Sequence, residues 1–321
     1  MSVSAYFASL SLLKLGKAIP GGVAQGLIWG LMALGVYITF RILDAADLTV
    51  DGSFTLGGAT AVMLILGGCP AWIAVLAAVV AGMLAGFVTG VLHVKLGIPV
   101  ILAGILTQFS LYSINLHIMG MAANKALSVD KYRLLLSSRS IPSAILTSFV
   151  IALVLVSVFY WYFGTERGCA IRCTGNNAAL ARALGINIGL MKIIALCLSN
   201  GLVALSSALM SQYQGFADVN MGRGAIVIGL AAIILGEALG NGLLGKRLNF
   251  YGRMSFTVLG GVLYYLVVVV ILWLRLNSND LKLITALIVA LFLALPYLRE
   301  RRISSFRHHR DRKEETRHAE A

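Results

Sequence analysis

A series of apolar runs, each of about 18 residues or more, restricts the fold most strongly, because helices of that length cross a bilayer. Spanning segments are predicted at about 22–40, 48–66, 71–92, 98–120, 143–163, 190–213, 222–242, 255–275 and 281–298. Only 12% of the residues are charged, which is about half the share found in soluble domains. The sequence therefore predicts an all-α polytopic membrane protein with about nine transmembrane helices, within a range of eight to ten.

The chain divides into three parts. Residues 1–20 have polar and cationic interruptions and are expected to form an N-terminal interfacial segment. Residues 21–298 contain the spanning segments and form the predicted transmembrane domain. Residues 299–321 are basic but mix both signs of charge, and they are expected to be a disordered tail.

The net charge of +13 indicates an orientation rather than a nucleic-acid partner. Lys and Arg accumulate in the cytoplasmic loops of membrane proteins, whereas nucleic-acid binding needs a folded basic surface with aromatic side chains. The two sides are balanced until the basic tail is counted. We therefore expect a cytoplasmic C terminus, with the tail at the inner lipid headgroups of the bilayer.

Acids and glycines interrupt the second predicted span in "DAADLTVDGSFTLGG", residues 44–58. Non-helical backbone survives at membrane depth only where protein or a water-filled cavity surrounds it. One interpretation is that Asp47 and Asp51 cap the N terminus of a half-helix that starts near 51–54. The other is that Asp47, Asp51 and Ser53 face a translocation path. The two interpretations are compatible.

A second interrupted stretch, "SQYQGFADVNMGRG", covers residues 211–224. Its polar groups include Gln212, Gln214 and Asp218, which suit either an outer loop or a substrate entrance. A faint repeat relates the sequence that starts at Asp47 to the one that starts at Asp218, and the predicted topology runs the two in opposite directions. Inverted repeats with glycine-interrupted helices are typical of transporters.

Two further features concern the interior of the predicted bundle. Glu237 lies within a span, where an ionisable residue is paired or functional by default; a helix-end ion pair and a gate both remain open. Glycines recur at four-residue spacing in three places: Gly22, Gly26 and Gly30; Gly82, Gly86 and Gly90; Gly236 and Gly240. This spacing favours close helix packing over a direct substrate role.

The polar stretch 167–192 differs in kind, because it is polar enough to lie in water and rich enough in Ala and Leu to be helical. Asn176 or Asn177 is a suitable cap for a short helix, and Gly185 a suitable end. Flanking Arg and Lys residues place it on the cytoplasmic face. The alternatives are a docking element and a plain amphipathic surface helix.

The sequence contains no phosphate-binding loop, no zinc-protease motif and no serine-hydrolase elbow. The four cysteines and five histidines form no set with metal-ligand spacing. We therefore expect a chain without an ATPase site, a catalytic residue, a metal or a cofactor of its own.

The segment "GNNAALARALGI", residues 175–186, resembles the coupling helix of permease subunits of bacterial ABC importers, in the branched-chain amino-acid and ribose class. The resemblance extends over about 21–298 and includes "GLIWGLMALGVYITFRILDAADLTVDGSF" and "LSNGLVALSSALMSQYQGFADVNMG". These stretches are more similar still to a tryptophan/tyrosine-type subgroup of largely uncharacterised permeases.

The resemblance implies a coupling helix at about 174–186 that docks into a cytoplasmic ATPase subunit, which binds ATP and Mg²⁺. The contact residues that it implies are Gly175, Asn176, Ala179, Arg182, Gly185 and Ile186. The sequence departs from the family pattern at position 182, where it has an arginine. It further implies a second permease copy, an extracytoplasmic binding protein, a bacterial inner membrane and a small solute such as an aromatic amino acid. The rival hypothesis is a self-sufficient ion-coupled transporter or channel that uses Asp51 and Glu237.

Overall fold

The computed structural model describes residues 12–244 and 249–274, together with the isolated positions 283, 287 and 290. The helices in chain order are α1 (Leu12–Tyr37), α2 (Thr49–Leu66), α3 (Ala71–Lys95), α4 (Val100–Ile118), α5 (Ile141–Gly164), α6 (Glu166–Asn176), α7 (Ala178–Ala183), α8 (Ile188–Gln214), α9 (Ala225–Leu244) and α10 (Phe250–Trp273). A π-helical turn, Ile38–Ile42, extends α1. Strands β1 (Asn124–Ala126) and β2 (Phe216–Asp218) pair antiparallel.

Eight helices in the described part of the chain are long and apolar enough to cross a membrane. They correspond to the first eight predicted spans, which confirms a polytopic all-α protein. The ninth predicted span, 281–298, and the tail 299–321 lie outside the described residues. Helix α1 begins at Leu12 and continues through Pro20, so the expected boundary at residue 20 falls inside a helix.

Helix α8 is the centre of the bundle and packs against α1, α2 and α3. Glycines bring the neighbouring backbones close. A Cβ atom added to Gly26 on α1 would lie 2.5 Å from the Cα atom of Val262 on α10. Added at Gly82 or Gly86 on α3, it would meet the backbone of α8. These contacts support the packing interpretation of the glycine spacing.

Two spanning helices begin deep in the bundle instead of at its surface. Asp47, just before α2, bonds Asn200, which lies near the middle of the 27-residue helix α8. After α8 the chain turns back, so that Gly222, just before α9, packs against the backbone carbonyl of Asp51. The N termini of α2 and α9 therefore meet at about mid-depth, and from there the two helices run towards opposite sides.

Short-range geometry holds this returning segment at the C-terminal end of α8. Gly215 ends α8 with a left-handed φ of +79°, which a residue without Cβ adopts readily. Strand β2 then pairs with β1, in a register that aligns Ala217 with Lys125. The ladder fastens the segment that leads to α9 to the loop that follows α4.

Candidate functional site

A cavity of about 440 Å³ lies where the two helix N termini meet. Residues of α2, α4 and the segment before α9 line it: Asp51, Gly52, Thr55, Gln108, Phe109, Tyr112, Asn115, Val219 and Arg223. Its volume falls within the roughly 300–1,000 Å³ of small-molecule sites. Both interrupted stretches of the sequence contribute to it.

Asp51 joins the two helices at this cavity. Its carboxylate oxygens accept hydrogen bonds from the backbone N–H groups of Gly224, at 2.9 Å, and Ile226, at 3.0 Å. These groups lie at the start of α9, just before and within its first turn, where backbone N–H groups have no partner within the helix. The expectation that Asp51 caps its own helix is therefore wrong: α2 already begins at Thr49, and Asp51 caps a different helix.

Asp47 has the capping role that the sequence predicts, although it stands one residue before the formal N-cap. One carboxylate oxygen accepts from the Thr49 N–H at 2.9 Å, and the other accepts from the Asn200 amide at 2.7 Å. The side chain is 2% exposed. Asp47 thus fixes the start of α2 against α8 and does not line the cavity.

A chain of hydroxyl groups holds the helices around this start point. Thr49 on α2 bonds Thr89 on α3 at 2.7 Å, and the Thr89 hydroxyl donates to Thr107 on α4 at 2.9 Å. All three threonines are buried. Since buried hydroxyl groups are costly to leave unpaired, the chain favours one relative position of these three helices.

Helix α4 supplies a polar face that the sequence analysis missed. Gln108, Tyr112 and Asn115 are spaced four and three residues apart, so they lie on one side of the helix. That spacing is the signal that could have revealed them. The Asn115 amide donates to the Gly52 carbonyl at 3.3 Å, while its Oδ1 atom is buried and has no partner among the described residues.

Arg223 is exposed at the cavity and forms no ion pair with a carboxylate in the described part of the chain. Asp218, a nearby acid in sequence, instead accepts hydrogen bonds from Asn124 and from the backbone of Asn220. Among the described residues, the cavity therefore contains one carboxylate, that of Asp51, and one guanidinium without an ion pair.

The other residues predicted for a translocation path lie elsewhere. The Gln212 side chain accepts from the backbone N–H of Leu135 at 3.0 Å and fastens the loop between α4 and α5. Gln214 is exposed at the end of α8, and Ser53 is fully buried in α2. Of the seven predicted path residues, only Asp51 lines the cavity.

Glu237 on α9 forms an ion pair with Arg41 in the π-helical turn. Arg41 also lines a second cavity, of about 890 Å³, beside α6 and α10. Arg172 and Arg253 line the same cavity, which gives it a basic character. Glu237 therefore forms an ion pair, as one of the two alternatives predicted, and a role as a gate stays a prediction.

The structure divides the predicted helix at 174–186. Gly175 and Asn176 lie in α6, whereas α7 covers only Ala178–Ala183, and Gly185 and Ile186 follow its end. Asn177 caps α7 by accepting a hydrogen bond from the Leu180 N–H at 3.0 Å. Gly185, with a φ of +76°, follows its end. The N–H of Gly185 bonds the Arg182 carbonyl, and the N–H of Ile186 bonds the Ala181 carbonyl, the two bonds of a Schellman motif. Asn177 thus sets the start of this helix, and Gly185 sets its end.

The surface of α7 is apolar where it faces outward. Leu180 is 51% exposed and Leu184 is 65% exposed, and Ala179 and Arg182 are exposed beside them. Gly175, in contrast, packs against the carbonyl of Ile42 at the end of the π-helical turn and so contacts the chain's own bundle. A short, firmly ended helix with exposed leucines is suited to docking in an apolar cleft.

Comparison with known proteins agrees with this architecture. Residues 19–295 match the family described as branched-chain amino acid transport system / permease component. A tyrosine transport system permease protein of Clostridioides difficile (strain R20291) is 40% identical, over 85% of this chain and 89% of that protein. An autoinducer 2 import system permease protein of Yersinia pseudotuberculosis (serotype O:1b, strain IP 31758) is 28% identical, over 81% and 71%.

Among solved structures, PsaBC from Streptococcus pneumoniae in complex with Fab shares the fold, with a TM-score of 0.51 and 15% identity. The match covers 91% of this chain and 95% of the other. A likeness at that identity speaks for the fold alone, whereas the family match covers most of the sequence. This chain therefore belongs to the permease-component family of branched-chain amino acid transport systems and is the permease subunit of an ABC importer.

Proposed function

We propose that two copies of this chain form the translocation path of an importer for an aromatic amino acid in a bacterial inner membrane. A cytoplasmic ATPase subunit, which binds ATP and Mg²⁺, docks on α7 of each copy, and an extracytoplasmic binding protein delivers the substrate. The C terminus is cytoplasmic. The observation that carries the proposal is the exposed apolar surface of α7, capped at Asn177 and ended at Gly185.

A continuous series of contacts supports coupling from α7 to the central cavity. Helix α6 precedes α7, and its Gly175 packs on Ile42 in the π-helical turn. In the same turn, Arg41 pairs with Glu237 on α9. The start of α9 is held by Asp51 at the cavity. These packed or hydrogen-bonded elements supply a physical route by which movement of α7 is transmitted in the proposed mechanism.

The position of the cavity supports a second copy. Phe109, on its rim, is 71% exposed, and Arg223 is also exposed. Lipid at mid-depth does not solvate a guanidinium or a carboxylate. A polar opening on this face is compatible with a membrane only where another protein surface or water covers it. A path between two copies provides both.

An aromatic amino acid is the substrate that we propose on two grounds. The Clostridioides difficile relative at 40% identity is a tyrosine transport system permease protein. In addition, the cavity combines aromatic side chains, Phe109 and Tyr112, with groups of both charges, Asp51 and Arg223. The ion-coupled alternative lacks comparable support, since Glu237 is paired with Arg41 and the family is one of ABC permeases.

The test places a charge on α7. A glutamate buried without a partner in an apolar cleft weakens the docking free energy by between about one and several kcal/mol. We expect Ala179→Glu to leave expression and membrane insertion intact, to lose the ATPase on purification and to abolish uptake of radiolabelled L-tyrosine.

The matched control is Ala126→Glu on β1, the same change at another exposed position. It should retain a stoichiometric ATPase. If the Ala179→Glu variant also copurifies with the ATPase and imports normally, α7 is not the docking element and the proposed coupling is wrong.

A further inference from the structure

We propose that the cavity at the junction of α2 and α9 is a transient binding site for the zwitterionic end of an amino acid. Arg223 binds the α-carboxylate, while Asn115 and Asp51 accept hydrogen bonds from the α-ammonium group. This inference rests on the proposed substrate class and adds the residues that recognise it.

The first argument is the charge content of the cavity. Asp51 and Arg223 line it together, yet they do not form an ion pair with each other in the described structure. Both Asp51 oxygens accept backbone N–H groups of α9, which fixes the carboxylate in place and leaves further lone pairs available. One fixed anion and one unpaired cation match the two charges of a zwitterion.

The second argument is independent and concerns Asn115, which is 1% exposed. Its amide nitrogen donates to the Gly52 carbonyl, so the orientation of the amide is set by that bond. The Oδ1 atom is then left buried without a partner among the described residues, on a side chain that belongs to the cavity lining. A buried acceptor of this kind costs free energy unless a donor arrives, and an ammonium group has three donors.

The third argument is the outer part of the cavity. Phe109 and Tyr112 stand beside the charged groups, on the exposed side of α4. An aromatic side chain of the substrate packs against such rings, and aromatic pairs add to the burial of area alone. The charged end of the substrate thus meets the helix junction, and its ring meets α4.

The experiment uses the whole transporter, with its ATPase and binding protein, in proteoliposomes and a panel of radiolabelled amino acids that includes L-tyrosine. Loss of one charge-assisted contact lowers the import rate by about ten- to a hundredfold. We expect that fall for Arg223→Gln and a smaller one for Arg223→Lys, which keeps the charge. Arg139→Gln, at an exposed arginine paired with Asp130, is the matched control.

Asn115 separates recognition from packing. Asn115→Gln keeps an amide donor for the Gly52 carbonyl and an acceptor, whereas Asn115→Leu has a similar volume and neither. We expect import to survive in the first variant and to fall at least about tenfold in the second. Copurification of the ATPase should be unchanged in all of these variants.

Two results overturn the inference in distinguishable ways. If the wild-type transporter imports amino acids and both Arg223→Gln and Asn115→Leu import at the wild-type rate, the site is wrong and the proposed function stands. If the wild-type transporter, with its ATPase bound, imports no amino acid of the panel, the proposed substrate class fails and the site fails with it.

Discussion

The carboxylate of Asp51 accepts a hydrogen bond of 2.9 Å from the backbone N–H of Gly224, 173 residues further along the chain. A second bond, from the Ile226 N–H, accompanies it. The Asp51 side chain thus joins the start of α2 to the start of α9. A carboxylate at a helix N terminus is also favoured by the helix dipole.

The first prediction concerns this contact. Asp51→Leu leaves two backbone N–H groups of α9 without an acceptor, and each costs about 1–3 kcal/mol when buried. Asp51→Asn keeps one acceptor oxygen and should lose less. Thermal unfolding of the purified chain in detergent measures the order: wild type, then Asn, then Leu. Equal stability of the Leu variant and wild type would contradict the capping role.

The second prediction concerns the glycine contacts. Gly26→Ala adds a methyl group 2.5 Å from the Cα atom of Val262, and backbone cannot move aside as a flexible side chain does. Overpacking of this kind costs about 1–3 kcal/mol. Gly164→Ala is the control, since an added Cβ there meets nothing within 4 Å. Unfolding midpoints of both variants test the prediction, which fails if they fall equally.

The third prediction concerns the ion pair of Arg41 and Glu237. Arg41 is 45% exposed at its side chain and Glu237 is 20% exposed, so solvent screens the pair. A double-mutant cycle should give a coupling of about 0.2–1 kcal/mol, lower at high salt. For import, Arg41→Glu should be harmful and the charge swap, Arg41→Glu with Glu237→Arg, should restore the rate. No recovery in the swap would argue against a link through this pair.

The fourth prediction concerns orientation. In a cysteine-free background, Ser138→Cys should react with an impermeant thiol reagent added to intact cells. Ala183→Cys on α7 and Ser304→Cys in the tail should react only after the membrane is opened. Labelling of Ala183→Cys from outside would invert the topology and remove α7 from the cytoplasm.

The sequence predicts the helices well because apolar length decides them, and it predicts α7 from a cap and a glycine that act over a few residues. Asp47 follows the same local rule, since it caps the helix beside it. Asp51 does not, because its partners at Gly224 and Ile226 come from a distant part of the chain. A sequence read locally cannot identify such partners, although the weak repeat relates the two segments.

The cavity escaped prediction for a related reason. Gln108, Tyr112 and Asn115 lie on one face of α4, but this face lines a cavity only because α2 packs beside it. The charges of Asp47 and Asp218 led to their prediction as path residues. In the structure, Asp47 holds the start of α2 and Asp218 holds a loop. A charged residue in the sequence thus indicates a position where the chain is held in place. Only the packing of the helices shows which side chains face the cavity.

The close backbone contacts of the bundle also limit how the transporter changes shape. Gly26 and Gly30 on α1 touch the backbone of α10, and Gly82 and Gly86 on α3 touch that of α8. Backbone at such contacts does not move aside as a flexible side chain does, so these contacts favour one arrangement of each helix pair. Opening of the path is therefore expected to carry each pair as one rigid body, with the displacement taken up by α5, the least enclosed of the described spanning helices.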